Sequence, residues 1–526
     1  METDKLQVKG YSHSGAARYK RAFKNYDPSS GSAHEDIDYN NQTLRERGRD
    51  LYMSAPIAAS ALNTVRTNVV GTGLKLRSSI DRELLGMSSE EAEAWQKKTE
   101  REFAIWAEDK RSCDATGMNN FVSIQQLVML SWLMSGDVFI LIKKAKLSAL
   151  RPYSLRLHVI EADRCRTPIE GGFRTLTTQR LDNGHLIYDG VEVDSSGLIE
   201  AYHFSNRHPY EWGLEQGGTE EWIRVKACSQ KTGLPNVLHI MNSERPDQYR
   251  GVSYLAPVIE PLLQLRRYSE AELTAAVVES FFTAFVKTET DPDALPFNET
   301  KEDGESDEYE YSMGPGQINV MKPGEDIVFA DPKRPAGGFD AFIKAMCSQV
   351  GAALELPMDL LLKQFNSSYS ASRAALLEAW KSFRMRREWL IDDLCKPVYE
   401  LWLSEAVARG RIEALGFFSD PAIRRAYLQA DWIGPSQGQL DPVKEITAEI
   451  LACSEGFSTH EQSTARLNGG RWDQNIERLN YETSKLKEGS PDPHQSGNAQ
   501  QAEETSDHKT LVNLVWQSAL GEKNEN

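Results

Sequence analysis

The stretch from Phe339 to Arg409 contains two apolar helix patterns separated by a polar loop. Pro357 ends the first helix, because its ring clashes with the preceding turn and it has no N–H to donate. The loop runs from Lys363 to Ser372, and Ser370 or Ser372 can cap the second helix. Each helix places large apolar residues on one face at spacings of three and four: Phe339, Phe342, Ile343, Met346, Val350 and Leu354 in the first, and Leu376, Trp380, Phe383, Leu390, Leu394, Leu401 and Trp402 in the second. The pattern predicts two buried helices that hold a polar loop between them.

The length and charge of the chain limit the kinds of function it can have. Its 526 residues allow roughly two to four domains. The formal net charge is −17, whereas proteins that grip nucleic acid usually carry a basic excess. If this chain meets DNA, it uses a local basic patch or lets the DNA pass without holding it. Arg384, Arg386 and Arg387 could touch phosphate, or could lie on a solvated or salt-bridged helix face.

The cysteines and the apolar runs argue against several classes of protein. The six cysteines are far apart and include no Cys-x-x-Cys pair, which argues against a zinc site and a disulfide scaffold. No run approaches the ~18–20 apolar residues of a membrane helix. The N-terminus is polar and lacks the apolar core of a secretion signal. We therefore expect reduced thiols in a cytoplasm and no membrane partner.

Helix and strand patterns both occur in the first half of the chain, which indicates an α+β fold that is mainly helical. Leu44 to Val70 reads as one helix, and Ser88 with Glu91 forms a capping box at the start of another. Strand and turn patterns dominate from Val138 to Met241.

A long apolar helix follows the loop at Arg250. Its pattern runs to about Lys287, and its second half, Leu273 to Val286, is apolar on nearly all sides. Such a helix, if too short to cross a bilayer, is buried between neighbours, which are either other subunits or parts of the same chain. Further on, Gln317–Met321 and Asp326–Ala330 are predicted to pair across a Lys-Pro-Gly-Glu turn.

An acidic, loop-like run lies between Asp291 and Pro315. It lacks the regular Asp/Asn alternation, with Gly at the sixth position, that a calcium loop needs. The run is either a solvated loop or a docking surface for a basic partner. The carboxylates of the docking surface would be Glu302, Asp303, Glu305, Asp307 and Glu308.

The sequence contains no motif of a known catalytic site. There is no Walker loop, Gly-x-Ser-x-Gly elbow or Ser-x-x-Lys pair, and a His-Glu pair that begins like a zincin motif has Thr464 in place of the second histidine. Ser367, Ser368 and Ser370 lie close together, but nothing nominates a base for them, and loop serines commonly serve as turn and cap residues. We therefore predict no enzymatic activity, no catalytic residue, no metal and no cofactor.

Five short passages, in one order, resemble the portal proteins of tailed phages, specifically the lambda type. The resemblance covers roughly residues 40–485. The passages are Arg250-Gly251-Val252 before the long helix, Pro323-Gly324-Glu325 before Phe339, Leu356-Pro357 through Ser367-Ser368-Tyr369-Ser370 to Arg373, Asp431-Trp432-Ile433-Gly434, and Asp441-Pro442 with Lys444-Glu445.

The resemblance implies a ring of twelve copies and a portal fold with a wing, a long-helix stem, a small α/β clip and a helical crown. Carried over to this chain, the parts are a flexible N-terminal arm (1–44), an α+β wing (45–252), a stem helix (253–287), the clip (288–335), a second stem helix (336–357), a tunnel loop (358–372), a long helix returning to the wing (373–440), the crown (441–487) and a disordered tail (488–526). The tunnel-loop residues expected to face DNA are Lys363, Gln364, Asn366, Ser367, Ser368 and Tyr369.

The resemblance also implies partners and a location. The partners are double-stranded DNA in the channel, the terminase large subunit, the major capsid and scaffold proteins, and head-completion or connector proteins. The ring would lie at one capsid vertex of the virion after assembly in the bacterial host cytoplasm. Duplex DNA carries one charge per ~1.7 Å, so many lysines around a ring would hold it. One Lys363 among neutral residues would steer DNA without gripping it.

Two other functions remain open from the sequence. A cytoplasmic serine hydrolase that uses the Ser367–Ser370 loop would have a reactive serine and form a small oligomer. A minor capsid or scaffold protein would form no closed ring with a channel.

Overall fold

A computed structural model describes residues 20–26, 28–168, 178–209, 211, 221–280, 284–288, 325–329, 339–365, 368–438 and 442–489. Most of the described chain is helical. The helices are α1 (Ala33–Ser54), α2 (Pro56–Val69), α3 (Arg82–Leu85), α4 (Ser89–Glu108), α5 (Lys110–Cys113), α6 (Phe121–Ser135), α7 (Ile259–Ser280), α8 (Phe339–Ala353), α9 (Met358–Leu362), α10 (Tyr369–Leu390), α11 (Lys396–Ala408), α12 (Pro421–Leu428), α13 (Pro442–Ser454), α14 (His460–Asn468) and α15 (Trp472–Gly489). None of the helices in these ranges is long and apolar enough to cross a membrane.

The strands form four small sheets, all with antiparallel neighbours. In order, β2 lies between β3 and β9, β4 to β8 follow one another in a five-stranded sheet, and the pairs β1–β12 and β10–β11 stand alone. The strands are β1 (Lys75–Ser78), β2 (Asp137–Lys144), β3 (Leu155–Glu161), β4 (Thr178–Arg180), β5 (Leu186–Tyr188), β6 (Val191–Val193), β7 (Ile199–Ser205), β8 (Trp222–Lys226), β9 (Val237–Met241), β10 (Ala284–Thr288), β11 (Glu325–Phe329) and β12 (Ala430–Ile433). The fold is therefore α+β and mainly helical, as predicted.

The chain divides into two compact units, Met1–Leu440 and Asp441–Asn526. The core of the first unit is built around aromatic rings on α4, α6 and α11. Phe103 meets the ring of Trp402 edge-on, with centroids 5.1 Å apart, and the ring of Phe121 at 5.8 Å. Edge-to-face contacts of this kind add to the stabilisation from apolar burial.

The predicted capping box at the start of α4 is present. Ser88 accepts the N–H of Glu91, and the Glu91 carboxylate accepts the N–H of Ser88. The same device, formed by Ser32 and Glu35, begins α1 at Ala33. The prediction of a flexible arm to residue 44 is therefore wrong from residue 33 onward.

The predicted single helix from Leu44 to Val70 is also wrong. The backbone is extended at Ala55, and Pro56 begins α2. Proline is favoured at the first position of a helix, where its missing N–H needs no partner, and disfavoured inside one. The chain therefore starts a new helix at this proline.

Glu192 is a buried carboxylate inside the five-stranded sheet. It accepts hydrogen bonds from Arg224 Nε at 2.6 Å, from His185 Nδ1 at 2.8 Å and from His203 Nε2 at 3.0 Å. The bond from Arg224 lowers the pKa of Glu192 to about 2, although burial acts in the opposite direction. The ionised carboxylate thus ties β6 to its neighbours β7 and β8.

Arg250 connects the sheet around β2 to the segment that leads into α7. Its guanidinium is fully buried and donates to Asp137 Oδ2 at 2.6 Å and to Asp189 Oδ2 at 2.6 Å. It also donates to the carbonyls of Ala162 at 2.9 Å and Cys165 at 2.8 Å. Four separate segments of the chain therefore meet at one cation.

The charges of this cluster keep its carboxylate ionised. Burial by itself would raise the pKa of Asp137, but the cations of Arg250 and Arg45 hold that pKa well below its usual range. Burial would likewise lower the pKa of Arg250, and Asp137 and Asp189 raise it instead. The cluster is stable only while its members remain paired.

Two glycines allow the backbones to meet beside Arg250. Gly136 ends α6 with φ of +91°, in the region that favours glycine. A Cβ on Gly251 would lie 1.9 Å from the carbonyl oxygen of Gly136. The segment after Arg250 can therefore pass the start of β2 only because neither residue has a side chain.

The predicted stem helix at 253–287 is too long at both ends. Helix α7 begins at Ile259, and Ala284–Thr288 is strand β10 rather than helix. A short apolar run cannot be assigned to helix or strand from its pattern, and pairing with β11 decides it here. The predicted partner strand at 317–321 lies outside the described residues.

The boundaries predicted around the opening motif also need correction. The predicted second stem helix at 336–357 is α8, which ends at Ala353. The predicted tunnel loop at 358–372 contains α9 and the start of α10. The predicted long helix at 373–440 is divided into α10, α11 and α12 and ends in β12, which pairs with β1.

The expected kink at Pro397 takes the form of a π-helical turn. Residues Ile391–Cys395 adopt this wider turn between α10 and α11. Pro397 has no N–H for the regular i→i−4 bond, and a local change of helix type accommodates the gap.

Replacing Arg250 with Met should lower the free energy of unfolding by about 3–5 kcal/mol, because the buried Asp137 carboxylate loses its main counter-charge. Urea unfolding of the full chain, followed by tryptophan fluorescence, measures the loss. Arg245→Met is the matched control, since the ion pair of Arg245 with Asp36 is exposed and such pairs contribute at most about 1 kcal/mol. Equal losses in the two variants would contradict the role assigned to Arg250.

Candidate functional site

The polar loop predicted to carry function lies between α9 and α10. Helix α9 ends at Lys363, whose backbone is left-handed with φ of +56°. The N–H groups of Lys363 and Gln364 both donate to the carbonyl of Asp359, the latter at 3.1 Å. The loop therefore starts from a left-handed helix cap made by a residue other than glycine.

Helix α2 holds the loop from below through two side chains. Ser60 Oγ donates to the carbonyl of Leu361 at 2.8 Å, and Lys363 Nζ donates to Thr64 Oγ1 at 2.9 Å. Ser60 and Thr64 are four residues apart and so lie on one face of α2. The cation of the loop is thus bonded to the scaffold through a neutral hydroxyl.

Arg387 of α10 binds the end of the same helix. It donates to the carbonyls of Asn68 at 2.8 Å, Val69 at 3.0 Å and Pro435 at 2.9 Å. Burial lowers the pKa of Arg387 to about 10. Asn68 follows Thr64 by four residues, so α2 anchors both sides of the loop along one face.

The turn before α9 is fixed to α10 by Glu355. This residue is left-handed, with φ of +53°, and accepts hydrogen bonds from Ser382 Oγ at 3.0 Å and Arg386 Nη2 at 2.9 Å. At Gly351 a Cβ would lie 2.4 Å from the carbonyl oxygen of Leu356, so the turn folds directly onto α8. Helices α8, α9 and α10 are therefore joined as one rigid corner.

The three arginines of α10 divide between the two roles that the sequence allowed. Arg386 and Arg387 are bonded within the chain, whereas Arg384 is exposed. Of the three, Arg384 alone is left on the solvated face of the helix.

Three predicted tunnel-loop residues are exposed in the structure: Lys363, Gln364 and Ser368. Ser368 is the N-cap residue of α10, in place of the predicted Ser370 or Ser372, because the helix starts earlier than its apolar pattern. Exposure leaves these side chains available to a passing ligand.

The other predicted site residues contribute less to the geometry. Tyr369 is the first residue of α10. Asn366 and Ser367 lie outside the described residues, and so do the five carboxylates of the predicted docking surface: Glu302, Asp303, Glu305, Asp307 and Glu308.

The serines of the loop have no general base in the part of the chain that the structure describes. Ser368 Oγ and Ser370 Oγ lie 3.5 Å apart, and neither is bonded to a histidine or a carboxylate. Ser372 Oγ lies 3.5 Å from Asp359 Oδ2. A serine nucleophile needs an adjacent base, so this geometry supports no hydrolase. Within the described ranges no group of His, Cys, Asp and Glu could hold a metal ion.

Thr64 and Ser60 belong to the site but were not found by sequence reasoning. They lie 299 and 301 residues before their partners Lys363 and Leu361. Neither forms part of a local motif, so no signal in a single sequence links them to the loop.

Comparison with known proteins points to one family. The profile described as "Phage portal protein, lambda family" matches residues 19–387. Portal protein B of Escherichia phage lambda is 23% identical over 486 residues, which cover 88% of this chain and 87% of that protein. The portal protein of Escherichia phage N15 is 23% identical over 493 residues, 88% of each chain. The probable portal protein of Halomonas phage phiHAP-1 is 23% identical over 422 residues, 80% of this chain and 76% of that protein.

Two solved structures are similar at lower levels. One is described as "Neck of native GTA particle computed with C12 symmetry" and has a TM-score of 0.41 at 12% identity, over 81% of this chain and 93% of that chain. The other is the neck of the empty GTA particle computed with C6 symmetry, with a TM-score of 0.42 at 12% identity, over 81% of this chain and 92% of that chain.

Replacing Thr64 with Val should loosen the loop, because the hydrogen bond from Lys363 is lost while the side-chain shape is kept. One such bond contributes about 1 kcal/mol, so amide hydrogen exchange in peptides covering residues 359–365 should become about fivefold faster. Thr67→Val, an exposed position on the same helix, is the control and should leave exchange unchanged. Identical exchange in both variants would mean that Lys363 is positioned by other contacts.

Proposed function

Because the chain belongs to the lambda family of phage portal proteins, we propose that twelve copies form a ring at one capsid vertex and that double-stranded DNA passes through it during packaging and ejection. The family is structural, and the chain is not an enzyme. The observation that carries the proposal is the family match over residues 19–387, which includes α7, the polar loop and most of α10. Assembly would take place in the cytoplasm of a bacterial host.

The exposed apolar side chains of α7 support a ring. Leu273 is 68% exposed and Val277 is 49% exposed, although both lie in the apolar half of the helix. Tyr268 packs on Phe339 and Phe342, at centroid distances of 5.6 and 4.6 Å, which joins α7 to α8. The apolar half of α7 is thus available to a neighbouring subunit, as an obligate assembly with large apolar interfaces requires.

The charge of the loop supports passage of DNA without tight binding. Between residues 360 and 372 Lys363 is the only charged residue, and its ammonium already bonds Thr64. Each phosphate that a protein neutralises adds about 0.9 to the salt dependence of binding. A ring with one such cation per subunit, surrounded by neutral groups, would guide the duplex and release it readily.

The remaining partners follow from the same role. We propose that the clip region docks the terminase large subunit during packaging and head-completion or connector proteins afterwards. Contacts with the major capsid and scaffold proteins would hold the ring at its vertex. The acidic run is the candidate docking surface, because its carboxylates fit a basic partner.

The purified chain should form a particle of about 710 kDa, twelve times 59.2 kDa, with a central hole in negative-stain images. Gln364→Lys should add one cation per subunit at the channel, so that rings retain linear duplex DNA more strongly and with a steeper salt dependence. Filter retention across a series of salt concentrations measures both. Gln230→Lys makes the same change at an exposed turn before β9 and should behave like the wild type. Equal salt dependence in the two variants would remove the loop from the DNA path.

Replacing the five carboxylates of the acidic run with Ser should weaken terminase docking at low salt by about tenfold, and the difference should shrink as salt screens the charges. Pull-down of the terminase large subunit by assembled rings measures docking. Glu83→Ser with Glu90→Ser, at exposed positions on α3 and α4, is the control. Unchanged docking by the five-fold variant would discard the acidic run as a contact.

A further inference from the structure

The C-terminal unit has almost no apolar interior of its own. Among residues 442–485 only Ser458 and Ser463 are buried, and both are polar. Ser463 Oγ donates to Glu449 Oε2 at 2.7 Å and lies 2.9 Å from Ser458 Oγ. A helical unit of this size needs apolar burial to outweigh the entropy lost on ordering it, and small units without a core depend on association.

Helix α13 turns an apolar stripe to solvent. Val443, Ile446 and Ile450 recur at spacings of three and four, so they lie on one face, and they are 75%, 42% and 64% exposed. The opposite face of α13 meets α14, where Glu449 bonds Arg466 at 2.7 Å. The stripe therefore points away from the rest of the unit.

Helix α15 carries a second stripe of the same length. Trp472, Ile476 and Leu479 recur at spacings of four and three, and Trp472 and Leu479 are 39% and 54% exposed. The ring of Trp472 stacks on His460 of α14 at a centroid distance of 5.8 Å. Helix α14 thus contacts both α13 and α15, and the two stripes belong to different surfaces of the unit.

We propose that the α13 stripe of one subunit packs against the α15 stripe of the next subunit, which completes the core that the C-terminal unit lacks. The proposal rests on the ring proposed above. A closed ring is made of contacts in which each subunit supplies two different, complementary surfaces, whereas a two-fold dimer needs a single self-complementary one. Two separate stripes on one unit fit the first case.

The charges beside the stripes agree with this pairing. Lys444 follows Val443 on α13, and Glu477 follows Ile476 on α15. Opposite charges that flank complementary apolar surfaces favour the correct partner over like-with-like pairing. The occupant of each stripe is therefore a second copy of this chain, in head-to-tail order.

The test uses the full chain with Ile450→Asp and Leu479→Lys, singly and together. Each single change should raise the subunit concentration at which half of the chain is in rings by at least tenfold, as measured by sedimentation. The double variant should recover most of this loss, because the new charges face each other across the interface. Ala448→Asp and Gln474→Lys introduce the same side chains at exposed positions of α13 and α15 outside the stripes, and should stay within about twofold of the wild type.

Each other outcome has a defined meaning. Wild-type rings with single variants that assemble like the controls would overturn the pairing and leave the portal ring standing. A double variant no better than the single ones would overturn head-to-tail pairing in favour of like-with-like contacts. A wild-type chain that never forms rings would overturn the ring and the pairing together. If Ile450→Asp lowers the helical circular dichroism of the subunit, Ile450→Ser provides the same comparison with a smaller change.

Discussion

The guanidinium of Arg250 is removed from water and must therefore find all of its partners inside the protein. Asp137 and Asp189 supply the opposite charge, and main-chain carbonyls take the remaining N–H groups. This requirement brings together the start of β2, the turn before β6 and the segment that leads to α7. A buried pair of this kind adds little net stability over apolar packing, but breaking it is costly, so it specifies one arrangement. The direction in which the chain leaves the wing towards α7 follows from it.

Much of the fold could be predicted from local signals, since helices α4, α8 and α10 and the proline at 357 are recorded in short patterns. The errors have one physical origin. A run such as Ala284–Thr288 suits helix or strand equally, and only its pairing with β11 selects the strand. The capping box at Ser32 and Glu35 was readable in the sequence, yet the polar composition around it was taken for an arm.

The candidate site shows the same division. The position of Lys363 at the end of an apolar helix, in a neutral loop, could be inferred from the residues themselves. Its hydrogen bond to Thr64 could not, because the partner is distant in sequence and belongs to an ordinary apolar helix. The left-handed backbone at Lys363 and Glu355 was equally hidden, since neither position is a glycine. Residues that carry positive φ without glycine are kept there by surrounding contacts, which a single sequence does not display.

Helix α2 contacts the loop region at Ser60, Thr64 and Asn68, each one helical turn beyond the last. An α-helix rotates by about 100° per residue, so a single insertion or deletion between these positions would turn the later contacts away from the loop. The length of α2 and the length of the loop are therefore not free to change separately. A chimera that borrows the loop from a relative would have to take the matching α2 with it, although nearly 300 residues of sequence separate the two pieces.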